Sequence, residues 1–469
     1  MSVYSQALWQ NDAASLARLM ARAEVTPREI VEVYLDRISR LNPTINAFVG
    51  IDTETVRRQA DAATIRQGDG RRLSLMDGVP IAVKDNIFVA GVPARWGSLL
   101  YRDFIPDYDD ICIERLRAGG AILLGKTTTP EFAASGRTES RLTGSTRLPW
   151  DTRLTSGGSS GGSAAAVCAG LSPLALGTDA GGSTRMPAAY NGLVGLRPSN
   201  GRIPRLPGFP PMSHDFQTVG VLARTVGDTR LLYDALAGAD RRDPSSLRFG
   251  PHQHSRPRLG WFCQVGDHRA DDAVLNSFEE ALGALTGAGY DLAQVQPPIA
   301  PSELTKVWDV FTAAAAARIA GRFADRWTDE MMPATADLAR RGITMSAADY
   351  ADAYDLLTDF RSRAMAAWPD VDVIVTPTVP APAWDANHVH PATIGRNAGS
   401  VETQGMYCGW VNALGLPAMS LPTMPHPDGR PIGLQLIGLH GSEELLFDVA
   451  QQFELAAPWA NRWPDIAMC

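Results

Sequence analysis

The chain has 469 residues, of which 45% are hydrophobic and 20% charged, and its formal net charge is −8. This balance is typical of a globular protein with a sizeable core. The negative charge argues against a nucleic-acid partner, because clustered Lys and Arg supply most nucleic-acid affinity.

Two further features bear on location. The polar, amphipathic residues 1–19 lack the basic start and apolar core of a secretion signal, and the five cysteines contain no C-x-x-C pair or disulfide framework. The most apolar stretch, 164–177, is shorter than the roughly 20 residues that span a bilayer and contains Pro173. We therefore expect a cytoplasmic protein that does not enter a membrane.

Helices and strands alternate in the first half of the chain. Thr26-Pro27-Arg28-Glu29 is a capping box with proline at the first helical position, and apolar residues follow at helical spacing. Apolar runs predict strands over 78–83 and 121–124, with a helix over 111–118 between them. This alternation favours an α/β fold.

The second half contains further elements of both kinds. Helical spacing predicts helices over 304–322, 347–367 and 444–455. Short apolar runs predict strands over 371–375 and 433–438.

Two strings between residues 155 and 201 are rich in Gly, Ser and Ala: TSGGSSGGS over 155–163 and GTDAGGSTR over 177–185. Small side chains permit tight turns and close approach of the backbone to a ligand. We therefore expect the chemistry of the protein in these strings.

Two interpretations treat the first string alone. A phosphate-binding loop would need a Gly-Lys-Ser/Thr ending and a preceding strand, and neither is evident. Residues 157–161 fit the G-x-S-x-G turn of a nucleophile elbow, but that turn follows a buried strand, and residues 150–156 are polar. Both interpretations are disfavoured.

Combined with an upstream lysine, the strings resemble the amidase signature family, whose hallmark is a Ser-cisSer-Lys triad. The lysine is Lys84 in GVPIAVKDN, the cis-serine is Ser159 in GGSSGGS, and the nucleophile is Ser183 in GGSTR. Their separations of 75 and 24 residues also match the family's pattern. Further similar strings lie at 125–127, 192–198, 373–378, 416–418 and 431–435.

This resemblance spans essentially the whole chain. It implies a large mixed β-sheet covered by helices on both faces, in one domain over 1–469. Within it we expect N-terminal helices to about residue 70, a catalytic core over about 71–235 and a substrate-pocket and C-terminal part over about 236–469. The family also implies a cis peptide between Gly158 and Ser159 and no metal, cofactor or catalytic histidine.

The chemistry of a Ser-Ser-Lys triad follows from its residue types. A serine hydroxyl needs a base within hydrogen-bond reach, and lysine is a base only when neutral, so its pKa must fall from about 10.4. Lys84 follows an apolar strand, which favours burial. The resemblance implies that Lys84 takes a proton from Ser159 while Ser159 takes one from Ser183, which attacks a carbonyl carbon to form an acyl-enzyme.

Other residues of the strings are expected to support this reaction. Four backbone N–H groups are predicted to form the oxyanion hole, those of Ala180, Gly181, Gly182 and Ser183. Asp179 and Arg185 are interpreted as the scaffold of that turn. Ser160 is interpreted as a turn or helix N-cap serine, with a supporting hydrogen-bond role left open. Lys126 is interpreted as structural.

Substrate recognition is expected outside the strings, in an apolar pocket. Candidate pocket residues are Phe132, Arg205, Trp308, Phe311 and Trp384. The eight histidines show metal-ligand spacing only weakly, in the pairs His252/His254 and His388/His390, and no metal is predicted. Because carbamates and esters pass through the same tetrahedral chemistry, an aryl, aliphatic or cyclic amide or a urethane all fit, with a small molecule as the partner and a homodimer left open.

The alternative within the family is the A subunit of a glutamine-dependent tRNA amidotransferase. That protein typically has a Lys-Ala-Gln-Lys/Arg-Val-Arg-like helix and an Asp before its Leu-Pro strand. Here the corresponding regions read LLTDFR over 356–361 and Gln404-Gly405-Met406. A free-standing hydrolase is therefore favoured, although Arg361 and Arg363 leave the alternative open.

Overall fold

The computed structural model describes residues 8–248, 257–299 and 301–469. The pair His252/His254 lies outside the described residues. The strands, in chain order, are β1 Phe48–Gly50, β2 Pro80–Lys84, β3 Ile122–Thr127, β4 Glu139–Ser140, β5 Gly144–Ser145, β6 Arg147–Leu148, β7 Asp151–Thr155, β8 Leu174–Asp179, β9 Val194–Arg197, β10 Thr218–Ala223, β11 Leu259–Trp261, β12 Gln264–Val265, β13 His268–Arg269, β14 Leu292–Gln294, β15 Val373–Pro377, β16 Thr393–Ile394, β17 Asn397–Ala398, β18 Ala418–Pro422 and β19 Gly433–Gly438.

The α-helices of the same described ranges are α1 Ala13–Ala21, α2 Pro27–Ile45, α3 Thr53–Gly68, α4 Ile111–Ala118, α5 Gly161–Cys168, α6 Arg185–Asn191, α7 Val226–Leu236, α8 Asp272–Gly287, α9 Pro301–Arg322, α10 Trp327–Glu330, α11 Pro333–Ile343, α12 Ala347–Ala366, α13 Val401–Gln404, α14 Gly409–Ala413, α15 Glu443–Ala456 and α16 Asp465–Met468. None of them is both long enough and apolar enough to cross a membrane.

A mixed sheet of 11 strands forms the centre of the fold, in the order β1-β3-β2-β8-β10-β9-β18-β19-β15-β11-β14. β2 is parallel to both β3 and β8, whereas β10, β9, β18 and β19 pair with their neighbours antiparallel. Strands from both halves of the chain share this sheet, and the predicted α/β fold with a large mixed sheet is confirmed.

The two strands that lead to the glycine-rich strings lie side by side and are fully buried. Every residue of β2 and of β8 is buried, as expected for strands covered on both faces. Because β2 and β8 are parallel, their carboxyl ends, Lys84 and Asp179, lie at the same edge of the sheet. This edge is where the predicted site residues meet.

Most predicted elements are confirmed, with shifts at their ends. The helix over 111–118 and the strand over 433–438 match the structure, as does the capping box that begins α2. The strand predicted over 78–83 runs over Pro80–Lys84, so Lys84 ends the strand instead of following it. The strand predicted over 121–124 continues to Thr127, because Lys126 is buried and pairs in register with β2.

Only four of the 19 strands described were predicted, and one of the other strands bears on the first glycine-rich string. Asp151–Thr155 forms β7, which pairs with β6 in a two-stranded sheet separate from the central one. Three of its five residues are polar and partly exposed or exposed, which explains why no buried-strand pattern is visible in the sequence. The string that begins at Thr155 therefore follows a strand, but one at the surface and not the buried strand of a nucleophile elbow.

Candidate active site

Lys84, Ser159 and Ser183 come from three separate segments that meet at the carboxyl edge of β2 and β8. Lys84 ends β2, Ser159 precedes α5, and Ser183 lies in the turn between β8 and α6. The peptide between Gly158 and Ser159 is cis, as the family resemblance implies. The backbone N–H of Ser160 donates to the carbonyl oxygen of Ser183 at 3.1 Å, which joins the two glycine-rich strings directly.

The amine of Lys84 is enclosed by hydroxyl groups. Its Nζ lies 2.8 Å from Ser159 Oγ, 3.0 Å from Ser160 Oγ and 2.9 Å from Thr178 Oγ1. The Lys84 side chain has no exposed surface. Ser160 approaches because residue 177 is glycine, where a Cβ atom would lie 2.8 Å from Ser160 Oγ.

Burial has a direct consequence for the charge of Lys84. It lowers the pKa of Lys84 well below 10.5, because an ammonium group loses its hydration in the protein interior. The charge of Arg205 lowers the pKa further, and the charge of Asp179 opposes the shift. A lysine with a lowered pKa can be neutral and accept a proton.

The turn that carries Ser183 is held by the carboxylate of Asp179. Asp179 accepts hydrogen bonds from the backbone N–H groups of Gly182 at 2.8 Å, Thr184 at 3.1 Å and Arg185 at 3.3 Å. Ser183 is partly exposed, and its hydroxyl has no hydrogen-bond partner among the described residues. The side chain is therefore fixed at its base and open to an incoming molecule.

One of the four predicted oxyanion donors is occupied in this structure. The N–H of Gly182 donates to Asp179 Oδ1 at 2.8 Å. Gly182 has a φ of +111°, and a Cβ atom there would lie 2.6 Å from Cβ of Cys408, so the residue serves the shape of the turn. The N–H groups of Ala180, Gly181 and Ser183 have no partner among the residues described.

A buried ion pair supports this turn. Arg185 Nη2 lies 2.9 Å from Asp179 Oδ1, and neither side chain has exposed surface. Arg185 also donates to Gln435 Oε1 at 2.6 Å, and Asn412 Nδ2 donates to Asp179 Oδ1 at 2.8 Å. Burial alone would raise the pKa of Asp179, but the charge and hydrogen bonds of Arg185 outweigh it and hold that pKa well below its usual range. Asp179 and Arg185 thus occupy the scaffold position predicted for them.

Ser160 and Lys126 have different surroundings. Ser160 stands at the N-cap of α5 but makes no capping bond with its side chain, which contacts Lys84 and the carbonyl oxygen of Thr178 instead. Lys126 is buried and donates to the carbonyl oxygen of Ile87. Burial lowers the pKa of Lys126 to about 8, yet its amine makes no hydrogen bond to either serine of the candidate triad in the described structure.

Of the predicted pocket residues, Trp308 lies against the nucleophile turn. A Cβ atom at Gly181 would be 3.2 Å from the indole of Trp308, which is partly exposed. Phe311, one turn later on α9, lines a cavity of about 640 Å³ bounded by α9, the end of α11 and the start of α12. Arg205 is bonded to Asp110 and Gln217.

Phe132 and Trp384 are core residues. Phe132 is fully buried with its ring centroid 5.0 Å from that of Trp96, and Trp384 packs on Tyr190 at 5.5 Å and donates to the carbonyl oxygen of His388. Both aromatic rings are enclosed by other side chains and are not available to a substrate in this structure.

Four polar residues of the site were not among those predicted: Asn86, Thr178, Asn412 and Gln435. The first two bond each other beside Lys84, and the last two bond the Asp179–Arg185 pair. Three of them lie inside strings that resemble the family, so the resemblance pointed to their positions but assigned them no role. Asn412 lies in the short helix α14, where no pattern distinguishes it.

Comparison with known proteins finds similar proteins over nearly the whole chain. A model of the amidase family matches residues 29–447. The A subunit of glutamyl-tRNA(Gln) amidotransferase from Thermosynechococcus vestitus is 34% identical, covering 96% of this chain and 99% of that protein. Among solved structures, 6-aminohexanoate cyclic dimer hydrolase is similar with a TM-score of 0.86 and 30% identity over 98% of this chain and 99% of that one. A bacterial aryl acylamidase has a TM-score of 0.89 and 26% identity over 97% and 98%.

We predict that Asp179→Asn lowers the free energy of unfolding by about 3 to 5 kcal/mol, because it leaves the guanidinium of Arg185 buried without its counter-charge. Urea unfolding followed by circular dichroism measures the change. Asp151→Asn is the matched control, because Asp151 also pairs with an arginine, Arg153, whose side chain is 86% exposed. A loss for Asp179→Asn no larger than that for Asp151→Asn would contradict the role of the buried pair.

Proposed function

Because the chain belongs to the amidase signature family, we propose that it hydrolyses a C–N bond of a small amide or carbamate through a covalent acyl-enzyme on Ser183. The observation that carries this proposal is the enclosed amine of Lys84, 2.8 Å from Ser159 Oγ, at the turn where the hydroxyl of Ser183 is open. A buried base, a relay hydroxyl and an accessible nucleophile are the parts that acyl transfer needs.

The proposed reaction moves one proton along the three residues. As Ser183 Oγ attacks the carbonyl carbon, its proton passes to Ser159 Oγ, and the proton of Ser159 passes to the neutral amine of Lys84. Ser159 then donates a proton to the departing nitrogen, taking one back from Lys84, and the C–N bond breaks to leave the acyl group on Ser183. Water attacks this ester by the same relay, which releases the acid and restores Ser183.

The oxyanion of the tetrahedral intermediate would be stabilised by the free N–H groups of the turn, those of Ala180, Gly181 and Ser183. The carboxylate of Asp179 holds this turn from its buried side. In this proposal the Asp179–Arg185 pair acts on the reaction only through the geometry of the turn.

The surroundings of Ser183 support an uncharged substrate. The indole of Trp308 lies against Gly181, and three arginines near the turn are already bonded within the protein: Arg185 to Asp179, Arg197 to backbone carbonyl groups and Asn200, and Arg205 to Asp110 and Gln217. We infer an aryl, aliphatic or cyclic amide, or a urethane, cleaved by the chain acting alone.

The second candidate is the A subunit of an amidotransferase, which the 34% identity to such a protein over 96% of this chain favours. The two arginines that kept this alternative open are engaged elsewhere. Arg361 donates to the carbonyl oxygen of Ala413 and pairs with Asp215, and Arg363 pairs with Glu303 and Asp359. Each arginine is thus already paired with a carboxylate of this chain.

We predict that phenylmethanesulfonyl fluoride labels Ser183 and that the labelling rate depends on Lys84. In the wild-type protein the rate should rise with pH as Lys84 loses its proton and should level off well below pH 10.5, because burial lowers the pKa of Lys84. Ser183→Ala should give no adduct, and Lys84→Met should slow labelling by roughly 10²- to 10⁴-fold, the usual contribution of a general base. Mass spectrometry measures the adduct over time.

Lys126→Met is the matched control for this experiment, because it also removes a buried lysine amine, on the neighbouring strand β3. It should retain the labelling rate and its pH dependence. Wild-type labelling by a folded Lys84→Met protein, or an adduct on Ser183→Ala, would refute the assignment.

We predict that the isolated chain turns over butanamide with a higher kcat/KM than glutamine. The two molecules share a primary amide and differ in the α-ammonium and α-carboxylate of glutamine, and the three arginines near the turn, Arg185, Arg197 and Arg205, are already bonded to other groups. Released ammonia measures both reactions, and an anilide and a carbamate extend the panel. Efficient glutamine turnover that depends on added partner subunits would favour the second candidate instead.

A further inference from the structure

We propose that Thr178 and Asn86 are positioning residues that direct the lone pair of neutral Lys84 at Ser159. This inference rests on the proposed function, since it concerns how the proposed base is aimed. A neutral amine has two N–H groups and one lone pair, and only the lone pair can accept a proton from Ser159.

Lys84 Nζ has three hydroxyl neighbours within 3.0 Å, those of Ser159, Ser160 and Thr178. The lone pair faces Ser159 only if the other two oxygens accept the two N–H groups. If either of them donated its own proton to Lys84, the lone pair would be consumed and Ser159 would lose its base.

Ser160 is set up as an acceptor by the backbone of Thr178. Its Oγ accepts from the N–H of Thr178 at 3.2 Å, and its hydroxyl proton donates to the carbonyl oxygen of Thr178 at 3.1 Å. With its proton engaged, Ser160 Oγ has one lone pair left for an N–H of Lys84. The same strand residue thus fixes the direction of the Ser160 hydroxyl.

Thr178 supplies the second acceptor with its side chain. Its Oγ1 lies 2.9 Å from Lys84 Nζ and 3.0 Å from Asn86 Nδ2, and both Thr178 and Asn86 are at least 97% buried. The bond to Asn86 fixes the rotamer that places Oγ1 against the amine. Asn86 follows Lys84 by two residues, so the end of β2 and the turn after it supply both the base and the group that orients its acceptor.

The test uses the labelling of Ser183 over a range of pH, which needs no natural substrate. Thr178→Val keeps the shape of the side chain and removes the acceptor. We expect labelling at the plateau to slow by roughly 10- to 100-fold, part of the 10²- to 10⁴-fold that a general base contributes. The acid limb of the pH profile, over which the labelling rate rises with pH, should move to lower pH. Removal of a hydrogen-bond acceptor costs an ammonium group more stabilisation than it costs a neutral amine.

Two further variants distinguish positioning from packing. Thr178→Ser, which keeps the hydroxyl, should restore most of the rate and the wild-type acid limb. Asn86→Asp should move the acid limb to higher pH, because a carboxylate close to Lys84 stabilises its protonated form. A purely structural role would change stability and leave the midpoint of the limb in place.

Thr127→Val is the matched control, because Thr127 is also a fully buried threonine, pairs in register with Lys84, and bonds Ser163 but not the amine. It should leave the limb unchanged. The inference would be overturned if the acid limbs of Thr178→Val and Asn86→Asp equalled that of the wild type. If Thr178→Val does not fold, the results for Asn86→Asp and Thr178→Ser decide alone. A wild-type protein without a Lys84-dependent limb would refute the proposed function instead, so the two failures are distinguishable.

Discussion

The enclosure of one lysine amine is the constraint on which the rest of the site depends. Lys84 ends a fully buried strand, so its amine has no contact with water and is surrounded by three hydroxyl groups. Burial of a cation is costly, and a lowered pKa removes most of that cost by removing the charge. Burial therefore favours the neutral form of this amine, with three hydroxyl groups around it.

A second buried group, the Asp179–Arg185 ion pair, lies on the adjacent strand and has the opposite character. Its charges are retained, because Arg185, Asn412 and three backbone N–H groups all bond the carboxylate. The parallel pairing of β2 with β8 brings the Lys84 amine and this ion pair to the same edge. The amine contacts Ser159, and the ion pair holds the turn that carries Ser183.

The fold class and the meeting of Lys84, Ser159 and Ser183 could be predicted from the sequence, because the strings that carry these residues resemble those of one family, although most strands, β8 among them, were not predicted. The partners of those residues were harder to predict. Gly182 donates to Asp179, and Phe132 and Trp384 lie in the core. These contacts depend on which segments pack together, and a local sequence pattern does not show that. Asn412 reaches Asp179 across 233 residues of sequence, a contact that no local pattern encodes.

The charge of Lys84 can be measured directly, since the sequence contains only three lysines, Lys84, Lys126 and Lys306. In a protein labelled with ¹⁵N and ¹³C at lysine, side-chain NMR should resolve each amine, and the Lys84→Met spectrum assigns the signal of interest. The account predicts that the Lys84 amine titrates well below 10.5. Titration of that signal at or above the ordinary pKa of lysine would contradict a neutral base at the site.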